Sequence, residues 1–199
     1  MNFQPKMLYH VYNRGNNRQE LFYERDHYFL FLLKIRKILL EFCELLSYCL
    51  MPNHNHLMIY AKEFMPDRAF KNPFKGNVQY HPLVRKIGTL QSSYTRALNN
   101  EMKNSGSLFQ QKAKAKLLNE DPWYPKTCFH YSHQNPVKAE LVKKMWQWEF
   151  SSFNDYAGYR DDNLVNKELA FELLDIPRDP AEFLAESEMF ELKGFSRIF

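Results

Sequence analysis

Two histidines separated by a single residue form the pair in this sequence best suited to bind a metal ion. His54 and His56 flank Asn55 within the segment YCLMPNHNHLMIY, residues 48–60, whose composition predicts a strand. Alternate residues of a strand point to the same face, so both imidazoles are predicted to reach one divalent ion. The competing interpretation is a chance pair, because the chain contains seven histidines.

A tyrosine in polar surroundings is the second candidate for chemistry. Tyr94 lies in a predicted helix, and its neighbours carry amides, hydroxyls and a guanidinium: Gln91, Ser92, Ser93, Thr95, Arg96 and Asn99. If this helix packed beside the histidine strand, the phenol could attack a phosphate group that the ion polarises. The alternative is a structural tyrosine whose ring packs inward while its hydroxyl meets water.

The hydrophobic pattern predicts the elements that would position these groups. Alternating residues predict strands over 7–13, 45–51, 54–62 and 108–118, and helical periodicity predicts helices over 24–44 and 83–103. Residues 63–82 carry no clear pattern and are interpreted as a flexible insertion. The order β-α-β-β-α-β predicts an α+β, ferredoxin-like fold, with two helices on one face of an antiparallel four-stranded sheet.

The C-terminal part of the chain is predicted to be mostly helical. A helix from Pro122 is expected to end at Gln134, with a turn at Asn135 and Pro136 and a short helix beyond it. We predict one domain over 1–158, which includes these C-terminal helices, and a peripheral acidic tail over 159–199.

Composition limits the class of protein without fixing its function. The net charge of +4 tolerates an anionic partner, and the 16% aromatic content is too high for a mostly disordered chain. Three widely spaced cysteines predict reduced thiols rather than a disulfide framework. We expect a soluble, cytoplasmic protein, because neither a signal-peptide pattern nor a run of eighteen apolar residues is present.

Several separate segments resemble one family, the HUH single-tyrosine transposases, and in particular the REP-associated tyrosine transposases of bacteria. The likeness runs in order from about residue 7 to residue 158, and it is carried by YHVYNRGNNRQELF, YCLMPNHNHLMI, SSYTRALN, GSLFQQKAKAK and HQNPVKAELVKKMWQWEFSSFNDY. One position departs from the family pattern: Asn55 stands where the family usually has a hydrophobic residue between its two histidines.

The resemblance implies a catalytic site. His54 and His56 would be metal ligands for Mg²⁺ or Mn²⁺, and Tyr94 would be the nucleophile that forms a 5′-phosphotyrosine intermediate. Asn99, or alternatively Gln91, would supply a third ligand. The implied activity is that of a metal-dependent single-stranded DNA endonuclease and strand-transferase, a transposase.

The same resemblance implies single-stranded or hairpin DNA as the partner. The residues expected to contact DNA are Asn13, Arg14, Arg18, Asn53, Gln91, Arg96, Lys112, Lys114, Lys116 and Asn135. A homodimer remains an open alternative to a monomer. The alternative function is a catalytically inactive protein that keeps the fold and binds hairpin nucleic acid. A rolling-circle replication initiator is disfavoured, because the chain carries no helicase-like segment.

Overall fold

The computed structural model describes residues 1–64, 70–71, 79–120 and 122–190. Its strands are β1 (Leu8–Arg14), β2 (Cys43–Met51), β3 (His54–Ala61), β4 (Phe70–Lys71), β5 (Gln79–Tyr80) and β6 (Lys114–Leu117). Its α-helices are α1 (Arg25–Ile38), α2 (Leu83–Glu101), α3 (Tyr124–Lys138), α4 (Phe153–Tyr156), α5 (Lys167–Leu174) and α6 (Pro180–Met189). Short 3-10 helices lie at Asn16–Arg18 and Met145–Gln147.

Four of the strands form one antiparallel sheet in the order β2-β3-β1-β6. Strand β1 therefore lies beside β3 and β6, and α1 connects it to β2 across the inserted strand β3. This order is that of a ferredoxin-like sheet, so the predicted α+β fold is confirmed. Within the described residues, the strands β4 and β5 pair with each other and not with this sheet.

One face of the sheet is apolar and carries α1 and α2. Val11 and Leu57 are directly opposite each other on this face, and both are buried. Phe31 of α1 and Tyr94 of α2 are fully buried, with their ring centroids 5.1 Å apart. Burial of side chains of this size stabilises the fold by about 1.5–3 kcal/mol each, so this layer is the main core.

The opposite face carries the histidines and is covered by α3. Lys116 of β6 lies 4.0 Å from the ring centroid of Tyr124, near the start of α3. Further along the helix, Tyr131 packs edge-on against His56 of β3. The sheet is thus enclosed between two helical layers, and the layer formed by α3 lies directly over the histidine pair.

The tail predicted to be peripheral folds onto the domain as far as it is described. Phe183 of α6 is fully buried, with its ring centroid 5.4 Å from that of Phe153. Glu186 of the same helix forms an ion pair with Lys126 of α3, and its carboxylate lies 3.0 Å from Nε2 of His130, a hydrogen-bond contact. Helix α6 therefore buttresses the helix that covers the histidine face.

Three predicted boundaries were wrong. Helix α1 ends at Ile38 instead of continuing to residue 44, because the N–H groups of Phe42 and Cys43 turn back to the Leu39 carbonyl and β2 begins. Strand β6 is limited to four residues, since Lys112 has a left-handed φ of 65° that interrupts the extended chain.

Helix α3 continues to Lys138, past the turn predicted at Asn135 and Pro136. Proline lacks an N–H group, so one helical hydrogen bond is lost close to the helix end, where the loss is tolerated. The predicted flexible insertion at 63–82 falls largely outside the described residues. Its expected flexibility stays a prediction.

Two further predictions can be compared with the structure. All three cysteines are buried and free, as expected for reduced thiols. Among the helices that the structure describes, none is long and apolar enough to cross a membrane.

Candidate metal and nucleic-acid site

The two histidines of β3 share one face of the sheet and lie close together. The ring centroids of His54 and His56 are 5.1 Å apart, and the ring planes are nearly perpendicular. Two imidazoles that ligate one ion through nitrogen, at about 2.1 Å each, place their centroids about 4.5–5.5 Å apart. The spacing of this pair therefore fits a shared ion.

Each histidine is held through its Nδ1 atom. His54 Nδ1 lies 2.7 Å from Asn53 Oδ1, and His56 Nδ1 lies 2.8 Å from Nε2 of His10 on β1. Because Asn53 Oδ1 can only accept, His54 carries its proton on Nδ1. Metal binding through Nε2 would leave both of these contacts intact, which is the arrangement usual for histidine ligands.

Burial keeps these imidazoles neutral. It lowers the pKa of His54 to about 4, with a further contribution from the positive charge of Arg14. Burial also lowers the pKa of His56 well below its usual value, and that of His10 to about 3. Neutral imidazole is the form that binds metal, so the pair is ready to act as ligands at neutral pH.

Tyr94, predicted to be the nucleophile, is not at this site. Its side chain is fully buried in the α1–α2 layer, and its hydroxyl donates a 2.5 Å hydrogen bond to the Leu21 carbonyl. Its ring contacts Phe22, Phe31 and Phe109, and no contact with either histidine is found in the described part of the chain. Burial raises the pKa of this phenol, which opposes nucleophilic attack. The role predicted for Tyr94 was therefore wrong.

Two other tyrosines contact His56. Tyr131 of α3 approaches it edge-on, with ring centroids 5.7 Å apart, and Tyr12 of β1 lies 6.5 Å away in a nearly parallel orientation. Tyr12 also stacks on His10 at 4.8 Å, so its ring forms part of the wall of the site. Tyr131 was not among the site residues predicted from the sequence.

Asn135 follows Tyr131 by one helical turn. Its side-chain Nδ2 donates to the Tyr131 carbonyl at 3.0 Å, and the residue is 8% exposed. Its Oδ1 atom is chemically suited to serve as an oxygen ligand. The i, i+4 spacing of Tyr131 and Asn135 indicates that both lie on one helix face. The predicted helix ended at Gln134, so this relation was not recognised from the sequence.

The predicted third ligand, Asn99, was misplaced. Its Nδ2 donates to the Gly106 carbonyl at 2.9 Å, and it lines a surface groove that contains no histidine. Among the described residues, no three His, Cys, Asp or Glu side chains lie close enough together to hold a metal ion.

Three of the predicted DNA contacts lie on the histidine face. Arg14 is directly opposite His54 in the β1–β3 pairing. Lys114 and Lys116 are exposed on β6 and stand opposite Tyr12 and His10 of β1. These three cations border the histidine pair on a single surface.

The remaining predicted DNA contacts have other positions. Asn13 is buried and its side chain donates to the Gln110 carbonyl, so the structure does not present it to a ligand and its DNA contact stays a prediction. Asn53 orients His54, as described above. Arg18 is exposed in the 3-10 helix after β1. Outside the histidine face, one groove brings together Gln91, Arg96 and Lys112.

Asn55, between the two histidines, points to the apolar face. It is 2% exposed, and its Oδ1 has no hydrogen-bond partner within the described residues. An unsatisfied buried carbonyl costs about 1–3 kcal/mol.

Comparison with known proteins finds similarity in structure but not in sequence. No protein-family model and no curated protein matches the chain. A bacterial tRNA(His) guanylyltransferase-like protein in complex with GTP gives a TM-score of only 0.46, at 9% identity over 71% of this chain and 67% of that chain. A REP-associated tyrosine transposase bound to a REP hairpin gives a TM-score of 0.57, at 16% identity over 83% of this chain and 94% of that chain. The chain therefore shares the fold of a REP-associated tyrosine transposase.

Proposed function

We propose that this protein is a metal-dependent endonuclease and strand-transferase for single-stranded or hairpin DNA, a transposase, with Tyr131 as its nucleophile. The observation that carries the proposal is the contact between Tyr131 of α3 and His56 of β3. This contact places a phenol beside one of two neighbouring neutral imidazoles on one face of the sheet. One neighbour of like fold is a REP-associated tyrosine transposase bound to a REP hairpin, which supports this choice of substrate.

The charges around the histidines suit a phosphate backbone. Arg14, Lys114 and Lys116 lie on the same face of the sheet as His54 and His56. Cations that follow a nucleic-acid strand hold its phosphates and position the scissile bond. The bound strand would pass between these cations and α3.

The residues present suit Mg²⁺ or Mn²⁺. His54 and His56 would hold the ion through Nε2, and Asn135 would add an oxygen ligand. When bound, such an ion polarises a phosphate and neutralises charge that develops on its oxygens.

The reaction itself is an exchange of esters at phosphorus. The Tyr131 hydroxyl oxygen forms a bond to phosphorus, and the bond from phosphorus to the 3′ oxygen breaks. The phenol loses its proton and the released 3′ oxygen gains one, so the proton count is unchanged. Because the phosphotyrosine conserves the ester bond, a later hydroxyl can rejoin the strand without ATP.

The decisive experiment compares three tyrosines. Single-stranded hairpins from the DNA that flanks the gene, labelled at either end, are incubated with Mn²⁺ and run on denaturing gels. Wild type and Tyr94→Phe should form a covalent protein–DNA adduct, whereas Tyr131→Phe should form none. Tyr12→Phe is the matched control for a second phenol near His56, and it should retain the adduct.

The opposite pattern would overturn the assignment of the nucleophile. An adduct that persists in Tyr131→Phe and disappears in Tyr94→Phe or Tyr12→Phe would exclude Tyr131. Thermal unfolding of each variant serves as the folding control. Tyr94→Phe loses one buried hydrogen bond and should be less stable by about 1–3 kcal/mol, without losing the adduct.

A second function, hairpin binding without cleavage, is favoured by one observation. His56 is fully buried and Tyr131 is only 8% exposed, so α3 must move or open locally to admit a scissile phosphate. Wild-type protein that binds hairpins tightly, yet neither takes up Mn²⁺ in calorimetry nor forms an adduct, would support this function instead.

A further inference from the structure

We propose that a groove beside α2 binds the bases of unpaired nucleotides next to the cleaved bond. The groove is a cavity of about 630 Å³ between the polar face of α2 and the segment 104–112. This inference rests on the proposed function, because it names where part of the same DNA substrate would bind.

The chemistry of the groove suits base edges better than phosphates. Its lining includes six side-chain amides, four hydroxyls and two cations, Arg96 and Lys112, and contains no acid. Side-chain amides pair with adenine edges, and arginine pairs with guanine, through two hydrogen bonds each. The absence of acids from this lining removes repulsion against a strand, while two cations are enough to hold its backbone.

The groove walls are fixed by hydrogen bonds that do not occupy its central side chains. Asn99 ties α2 to the Gly106 carbonyl at 2.9 Å, and Asn16 ties the far wall to the Ser107 carbonyl at 2.8 Å. Gln91 and Asn100, by contrast, make no side-chain hydrogen bond within the described residues. They are therefore available to a ligand in a groove whose shape is already set.

The groove meets the histidine site at one end of the sheet. The N–H group of Gln110 donates to the Arg14 carbonyl at 2.9 Å, and Phe109 forms an isolated bridge with Gly15. Arg14 is the residue opposite His54. A strand leaving the groove at this end would meet the Arg14 side chain on its way to the histidines.

Unpaired nucleotides fit this location better than a duplex. Unstacked bases present both their Watson–Crick and their Hoogsteen edges to side-chain amides, whereas in a duplex the Watson–Crick edges are paired with the partner strand. The groove lining does not include Lys114 or Lys116 of β6, which would hold the backbone near the site of cleavage. The groove would thus supply the base contacts, with Arg96 and Lys112 holding the adjoining backbone, and the histidine face would supply the phosphate contacts at the site of cleavage.

The test measures binding without metal, so that cleavage plays no part. Fluorescence anisotropy with EDTA compares a blunt hairpin with the same hairpin carrying a six-nucleotide single-stranded extension at either end. Wild type should bind one extended form roughly tenfold or more tightly than the blunt form, the scale of one base contact. The double variant Gln91→Ala/Asn100→Ala should lose that gain and bind the blunt hairpin unchanged.

Three controls keep the outcome specific. Gln4→Ala removes an exposed amide near the other end of β1 and should keep the gain. Gln91→Glu, which preserves length and adds a negative charge, should lose it even if the double variant proves unstable. Arg96→Gln should reduce the salt slope by about 0.7, whereas loss of the amides should leave the slope unchanged.

Equal affinity for blunt and extended hairpins, or a gain that survives in Gln91→Glu, would overturn the groove proposal. The adduct assay is a separate measurement. If the adduct depends on Tyr131 but Gln91→Glu keeps the gain in affinity, only the groove proposal is rejected. If the gain in affinity depends on Gln91 but no adduct forms with any metal, the groove proposal stands and the proposed cleavage chemistry is rejected.

Discussion

At the scale of single residues, neighbouring side chains set the orientation and the proton position of the two histidines. Asn53 fixes the proton of His54 on Nδ1, and His10 contacts Nδ1 of His56 from the neighbouring strand. An ion bound at His56 Nε2 requires the His56 proton on Nδ1, where it is donated to His10. His10 is therefore a positioning residue for the proposed metal site.

Replacement of His10 should weaken metal binding. In His10→Phe the buried Nδ1–H of His56 loses its acceptor, and Mn²⁺ affinity measured by calorimetry should fall about 10- to 100-fold. His10→Gln places an acceptor oxygen near the former Nε2 position. Its Mn²⁺ affinity should stay within about threefold of wild type, well short of the loss expected for His10→Phe. Equal Mn²⁺ affinity in His10→Phe and wild type would contradict this role, provided that both variants are folded by circular dichroism.

At the scale of elements, α3 is the helix on which the site depends. It brings Tyr131 over the sheet and carries Asn135 one turn further on, although Pro136 interrupts its hydrogen bonding. The side of α3 that faces away from the sheet packs against α6, where the ring centroids of Phe183 and Phe129 are 6.1 Å apart. The C-terminal helices thus support the position of the proposed nucleophile.

Removal of this support should destabilise the whole domain. Phe183→Ala leaves a cavity beside α3 and should cost about 3–5 kcal/mol, which lowers the melting temperature by roughly 6–20 °C. Met189→Ala on the same helix is the control, because Met189 is 80% exposed and should change stability by less than about 0.5 kcal/mol. A Phe183→Ala melting temperature within 2 °C of wild type, roughly what less than 1 kcal/mol would produce, would mean that α6 is peripheral after all.

At the scale of the whole molecule, buried neutral histidines make the fold sensitive to acid. Burial lowers the pKa of His130 to about 4 and that of His133 well below its usual value. Between pH 6.5 and 4 the unfolded chain binds protons at these positions and the folded chain does not. Stability is therefore full above pH 6.5 and decreases as the pH falls.

Unfolding at a series of pH values should show this loss. Each of these histidines contributes a slope of about 1.4 kcal/mol per pH unit below pH 6.5, and the histidines of the sheet act in the same direction. Urea unfolding with EDTA should show stability decreasing steadily from pH 7 to pH 5. His133→Gln, which can keep the contact to Ser152, should decrease less steeply; a flat profile in wild type would contradict the expectation.

The sequence by itself determined the fold class and the histidine pair. Alternation in β1 and β3, and helical periodicity in α1 and α2, are local patterns that depend only on which residues meet the core. The sharing of one face by His54 and His56 follows from the two-residue repeat of a strand. No long-range information is needed for either inference.

Only the tertiary structure decided which tyrosine meets that pair. Tyr94 and Tyr131 both lie on helices with polar neighbours, and helical spacing does not reveal which face of the sheet a helix covers. Packing places α2 on the apolar face and α3 on the histidine face, so Tyr94 enters the core and Tyr131 reaches His56. That choice depends on the burial of residues far apart in the chain, among them Phe31 beneath α2 and Phe183 behind α3, which no local pattern contains.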